Sequence, residues 1–600
     1  MNAAAAGSGA VAAEDPIFRP LRAFAFDPGG GSGPANLLAL RLPWEPLRPG
    51  PAGGRVAVID YDAAGDRYWA PVDLDDPRLR GGGLDPDPGH PFFHQQMAFA
   101  IASWTIRNFE LALGRRVRWS FDRNQRADRP LRILPHGVEE ANAWYESELR
   151  ALVFGHFAAP SGERIFACLS HDVVAHETTH ALVDGLRRYF REPASDDTLA
   201  FHEALADLVA LFQHFAFPEA LLETVRRTGG RIHEPLPGAG NPLVELARQF
   251  GEALGLGRAL RSALGAEGDA AALDPHARGS VLVAAVFDAF FAIYAKRTAD
   301  LFELARCGDP REPIPEPLAA RLAAEAAKVA RRFLSLCIRA LDYCPPVGVT
   351  FGDYLRALLT ADLEAVPEDR QGWREAIVGA FRRRSLLPPD LPPTVSALCW
   401  QPPPFTGDPP RCAGLTFDVL LRRRDPRRGS RNARLLHAFA NEHRAALGLA
   451  PGIPIHSHSF ECVGRTSPAG DPRFGFVAEL VQTVRRRLPC GTQVPIRGGV
   501  TLVLDPEGRV LYAIGKPLDE AAIAARLAFA ATMRGSPHRL GIDFRALHRQ
   551  ASAAGGAAPF DERWALEPAA FRRLHPHLPF DERDERAFRR QARATAPARS

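Results

Sequence analysis

The chain has 600 residues and a mass of 65.4 kDa, several times the size of one ordinary domain, so it can fold as several units and bury an active site. Hydrophobic residues make up 46% and charged residues 24%, which excludes a collagen-like, fibrous or wholly disordered chain. A formal net charge of +4, from 74 basic and 70 acidic residues, gives no electrostatic case for a nucleic-acid or membrane partner.

Residues 1–20 are rich in Ala and Gly and are expected to be disordered. They show neither the charged nor the long apolar region of a signal peptide, and no uncharged apolar run approaches the roughly 20 residues of a membrane span. A cytoplasmic protein is expected, and eight cysteines without a CxxC pair fit reduced thiols there. From residue 21, short alternating segments such as Arg55 to Tyr61 read as strands between Gly/Pro clusters. The run His90 to Leu113 has helical spacing and ends at Gly114. Two more helical patterns fill Ser170 to Phe215 around a loop at Glu192 to Asp197, and further helices run to about Arg384. Residues 387–413 are proline-rich and predict an extended linker. Beyond it, Phe474 to Val484 predicts a strand, and Val500 to Leu504 with Arg509 to Ile514 predicts a hairpin. Helices are expected around Asn432 to Leu447 and Asp519 to Met533. The expected organisation is an α+β protein: a β-rich region at 21–185 ending in a helix, a helical region at 186–386, the linker, an α+β accessory domain at 414–550, and an Arg/Ala-rich tail at 551–600.

The chemistry concentrates in His176-Glu177-Thr178-Thr179-His180. Residues four apart share one helical face, about 6 Å apart along the axis, so both imidazoles can reach one zinc ion. Glu177 stands beside them, placed to take a proton from water activated by the metal. Glu203 follows His180 by 23 residues on a helix that is apolar at Leu205, Leu208, Val209 and Phe212, and Asp207 follows by four more. Carboxylates on such a buried face need a metal or hydrogen-bond donors. Glu203 is therefore the expected third ligand, and Asp207 the acceptor that orients His176. Two histidines and one glutamate leave a fourth position open, the pattern of a catalytic zinc. By helical phase His171, His202 and His214 face away from this set, toward core or surface roles, and the His456-Ser457-His458 pair is assigned no metal. The basic run Arg422 to Arg431 lacks interleaved aromatics and reads as a solvated loop.

These residues resemble the thermolysin family of zinc metallopeptidases, the gluzincins, which combine HExxH with a downstream ExxxD helix. Asp172-Val173-Val174-Ala175 looks like the family's lead-in and His180-Ala181-Leu182-Val183-Asp184 like its continuation. The resemblance, over about residues 55 to 300, implies a two-lobed core, β-rich then mainly helical. It further implies that Asn142-Ala143-Trp144-Tyr145 is the edge strand on which an extended substrate adds as a further strand, Asn142 and Ala143 supplying the contacts. It makes His276 the donor to the tetrahedral oxyanion and Arg261, within Leu-Arg-Ser, a holder of the substrate carbonyl. The sequence departs from the family in three places. Asp274 stands two residues before His276 rather than five, Tyr189 is out of register with the family's oxyanion tyrosine, and His214 replaces a calcium-binding glutamate, so no double-calcium site is expected.

The expected function is zinc-dependent hydrolysis of internal peptide bonds in peptide or protein substrates, with Glu177 as general base. Two alternatives stand beside it: a non-catalytic zinc-containing binding or regulatory protein on the same fold, and a zinc aminopeptidase. For the aminopeptidase no GxMEN-like segment is present to capture a free amine. The C-terminal α+β domain is expected to pack against the core or gate its substrate.

Overall fold

The computed structural model describes residues 16–28, 36–122, 129–147, 149–159, 161–192, 194–232, 245–246, 261–262, 275–305, 314–403, 410–416, 426–466, 470–489, 491, 493–533 and 565–566. Of the N-terminal stretch expected to be disordered, residues 1–15 lie outside these, as do Asp274 and all of the tail at 551–600 except 565–566. The protein is α+β, with strands concentrated before residue 170 and after 455 and helices between.

Strands β1 (Phe18–Phe24) and β2 (Leu37–Pro43) form an antiparallel hairpin. Next come β3 (Val56–Val58), β4 (Tyr61–Asp62) and β5 (Arg67–Trp69), then helix α1 (Pro91–Leu113). Pro91 opens α1 at the position where its missing N–H costs nothing, and His90 Nδ1 accepts from the Phe92 amide at 3.3 Å. Gly114 closes the helix at φ 68°, as its sequence position predicts. A second constraint acts there, since a Cβ on Gly114 would lie 2.2 Å from the carbonyl oxygen of Gly464.

The strands β6 (Leu131–Val138), β7 (Ala143–Glu146), β8 (Ala151–Ala158) and β9 (Arg164–Phe166) complete the main sheet, in the order β3-β6-β8-β7 with β9 also on β8. The β3–β6 and β6–β8 pairs are parallel, and β7 is an edge strand antiparallel to β8. A 3-10 turn at Ala167–Leu169 leads into α2 (His171–Leu186), followed by α3 (Asp196–Phe215) and α4 (Pro218–Arg227). Ser195 caps α3 by accepting from the Thr198 amide at 3.3 Å, and Asp196 and Asp197 suit the positive end of the helix dipole.

Two short strands, β10 (Glu245–Leu246) and β11 (Arg261–Ser262), pair antiparallel, and β10 packs against α3. Helices α5 (Pro275–Ala305), α6 (Glu316–Arg339), α7 (Phe351–Ala365) and α8 (Trp373–Arg383) build the helical core. Helix α5 is long and apolar enough to cross a bilayer, but most of its apolar stretch is buried within the fold. Its Phe287 stacks on Phe212 of α3 at 4.5 Å, and Phe333 of α6 continues the cluster to Trp373.

The stretch predicted as an extended linker differs from that expectation. It carries a short helix, α9 (Val395–Leu398), whose Leu398 is fully buried, and Trp400 donates its indole N–H to the Tyr343 carbonyl at 2.9 Å. The apolar residues between its prolines find the helical core within reach, so burial overrides the stiff extended form.

After α10 (Pro426–Glu442), strands β12 (Ile455–Thr466), β13 (Pro472–Arg487), β14 (Gln493–Leu504) and β15 (Val510–Lys516) form an antiparallel meander, followed by α11 (Glu520–Met533). Residues 426–430 of the basic run are helical rather than loop. One sheet face packs Leu480 and Leu502 with Leu436 and Phe439 of α10, while Val503, Tyr512 and Ile514 join the main core. The last described strand, β16 (Ala565–Leu566), pairs with β5.

Candidate metal centre

Helix α2 presents His176 and His180 one turn apart, and their Nε2 atoms face each other at 2.9 Å. Glu203, on α3, brings Oε2 to 3.4 Å from His176 Nε2 and 3.6 Å from His180 Nε2. Ligand atoms of the three residues all lie within 4.8 Å of one another, and all three side chains are buried. The outer nitrogens are held: His176 Nδ1 lies 2.8 Å from Asp207 Oδ1, and His180 Nδ1 lies 2.7 Å from His202 Nδ1. With those contacts behind the rings, the two Nε2 atoms face each other beside a carboxylate oxygen. Two neutral nitrogens and one anionic oxygen suit a borderline ion such as zinc at roughly 2.0 to 2.2 Å. Burial raises the pKa of Glu203, but His276, His180 and His176 outweigh it and hold the carboxyl well below the usual range, so Glu203 is an anion ready to ligate.

His202 departs from its predicted place. Helical phase on α3 alone turned it away, yet its ring stacks on that of His180 at 4.7 Å. The crossing of α2 over α3 decides this contact, and phase within one helix does not report a crossing. Burial, then the neighbouring His180, hold its pKa well below that of free histidine, so His202 is neutral and able to accept.

Glu177 is 1% exposed, and its Oε2 accepts from the Tyr145 amide of β7 at 3.0 Å. Asp184, a turn beyond His180, accepts from the Ser120 hydroxyl at 2.6 Å and the Tyr145 hydroxyl at 3.0 Å, which ties the edge strand to α2. Alternation along β7 puts the backbone of Ala143 in the same outward rank as Tyr145. Asn142 is buried, its carbonyl accepting from the Gly155 amide at 2.8 Å on the β8 side. Tyr145 and Ser120 are contacts that no spacing rule reveals, because they reach α2 from β7 and from a 3-10 turn at Ser120–Asp122, both distant from it in sequence.

His276, in the first turn of α5, places Nδ1 3.2 Å from Glu203 Oε2. The structure thus brings it to the metal-ligand cluster. Arg261 belongs to β11, but its side chain lies outside the described residues. Tyr189 lies against the C-terminal sheet, with its ring 4.8 Å from that of His458 and the Arg497 guanidinium over it at 4.5 Å. His214 Nε2 contacts Asp172 Oδ1 directly. A cavity of about 620 Å³ lined by Trp104, Phe217 and Leu334 contains none of these residues.

In comparison with known proteins, the chain matches no family model and no curated protein.

Proposed function

We propose that the protein is a zinc-dependent endopeptidase with a thermolysin-like two-lobed core, His176, His180 and Glu203 holding the metal. The reading is carried by one observation: Glu177, in the same helix turn as the ligand histidines, is hydrogen-bonded to the backbone of an edge strand. It supports a reading of Glu177 as a general base between a candidate metal and a strand on which a peptide can add. Zinc, when bound, supplies Lewis-acid polarisation of the substrate carbonyl and lowers the pKa of water. Glu177 takes the proton from the attacking water and passes it to the leaving amine. Asn142 and Ala143 align the substrate along β7, and His276 donates to the developing oxyanion, a contact worth about 3 kcal/mol when such a donor is removed. Arg261 is assigned the substrate carbonyl on the resemblance alone.

The test compares zinc-loaded wild type and Glu177→Gln on peptide libraries with free and with blocked N-termini. The amide keeps shape and metal binding but accepts no proton, so cleavage should fall by about 10²- to 10⁴-fold at unchanged zinc content. Equal cleavage by both proteins would end the mechanism. Cleavage restricted to unblocked peptides would make the enzyme an aminopeptidase, and none by either protein would favour a binding role.

A further inference from the structure

A second cluster lies in the β-rich region, formed by His94 on α1, His136 on β6 and Cys168 in the 3-10 turn before α2. The three residues are buried at 0%, 1% and 0% exposure, and their potential ligand atoms all lie within 4.8 Å of one another. None of them belongs to the site at His176.

The hydrogen bonds around the two imidazoles assign their protons. His94 Nε2 lies 2.8 Å from the Pro88 carbonyl, which can only accept, so Nε2 carries the hydrogen. His136 Nδ1 lies 2.5 Å from Asp60 Oδ1, and Gln95 donates to the other oxygen of that carboxylate at 2.7 Å, so His136 donates to Asp60. In neutral rings the remaining nitrogens, His94 Nδ1 and His136 Nε2, both present lone pairs, and they face each other at 2.8 Å. Two lone pairs at that distance repel unless a cation lies between them. The arrangement repeats the His176–His180 pair, whose outer nitrogens are likewise engaged and whose inner ones stand 2.9 Å apart. Tetrahedral coordination needs about 3.3 Å between imidazole nitrogens, so either pair opens by roughly half an ångström on loading.

We propose that His94, His136 and Cys168 are a second metal site, for a borderline d-block cation of the zinc class, which pins the start of the zinc-binding helix to the β-rich lobe. Asp60 and the Pro88 carbonyl orient the two histidines, as carboxylates and carbonyls do behind metal-bound imidazoles. Burial, then the nearby Asp60 charge, push the Cys168 thiol well above its usual value. A bound cation reverses that balance and ligates the thiolate. The Phe166 ring contacts both imidazoles, at 4.5 and 5.4 Å, closing one side of the cluster. With every ligand buried, the ion is acquired during folding.

The full-length protein, produced with cobalt as the probe metal, decides the matter through metal content and absorption. Wild type should hold two cobalt ions per chain and show a thiolate-to-cobalt charge-transfer band, which a site of histidines and glutamate cannot produce. Cys168→Ser should abolish the band, and His136→Gln should lose the band and one ion. His176→Ala should lose the other ion and keep the band, so failure of this site and failure of the proposed peptidase centre remain separable. One cobalt per chain with no thiolate band in wild type would overturn the proposal in favour of a bridging proton, whatever the variants do. A band that survives Cys168→Ser would overturn it equally.

Discussion

At the scale of single residues, His202 is the clearest addition to what spacing reveals. It stands behind His180 at 2.7 Å and, on the proposed reading, fixes which nitrogen of that ring would face a metal. His202→Ala leaves all three ligands in place but frees the His180 ring, so zinc affinity should fall roughly 10- to 100-fold, with partial rescue by His202→Asn. Competition against a chromophoric chelator measures this, and unchanged affinity would assign His202 to packing alone. Asp172 carries a second expectation at this scale. Because His214 meets it, an imidazole stands where a hard cation would need oxygen. Calcium-selective chelation at fixed zinc should leave the melting temperature unchanged, and a large drop would reveal a calcium site. The ligands themselves were legible because His176 and His180 are related by one helical turn, which is local. His202, Tyr145, Ser120 and the His94–His136 pair were not, because each meets its partner across 22 to 64 positions, through packing that no periodicity encodes.

At the scale of elements, the close approach of α5 to α3 sets the position of His276. Gly279 lies one turn after His276, and a Cβ there would stand 2.8 Å from the Ala200 carbonyl oxygen. Alanine normally stabilises a helix interior by up to about 1 kcal/mol relative to glycine. Here the obstacle is backbone, which cannot rotate aside, so Gly279→Ala should instead cost about 1 to 3 kcal/mol and draw His276 away from Glu203. Thermal melts and peptide cleavage should fall together at unchanged zinc content. A higher melting temperature would mean that the two helices can separate. The end of α1 was readable from Gly114, whose backbone limits are local. The hairpin joining Val500 to Leu504 with Arg509 to Ile514 was readable for the same reason. Strand β12 was not, since its residues alternate weakly and it gains its place only by pairing with β13.

At the scale of the whole molecule, Asp342 joins parts that are far apart in sequence. Its two oxygens take the Arg115 guanidinium at 2.6 and 2.7 Å, and Arg465 of β12 contacts the same carboxylate. Burial alone would raise the pKa of Asp342, but Arg115 and Arg465 outweigh it and bring it down to about 2, from 3.8. A carboxyl lowered in the folded state stabilises above its unfolded value and loses that contribution as pH falls toward the folded one. Stability on the order of 2 kcal/mol should therefore disappear between about pH 4 and 2. Asp342→Asn should cost about 3 to 5 kcal/mol at neutral pH, since it leaves two arginines without their anion. The gap between the variant and wild type should narrow in that acid window. Denaturant titrations across pH test this, and a gap independent of pH would remove Asp342 from the account.

The clamp at the end of α2 has a consequence for how this chain can diverge. Arg187, the residue that ends α2, is 2% exposed and bonded to Glu479 at 2.8 Å and to Thr501 at 3.2 Å, both on the C-terminal sheet. A buried guanidinium tolerates the loss of its carboxylate poorly, and the carboxylate tolerates solitude no better. The two halves are therefore not exchangeable cassettes. A lineage that replaces the sheet must also rewrite position 187, and relatives of this chain should lose the arginine and the glutamate together or keep both.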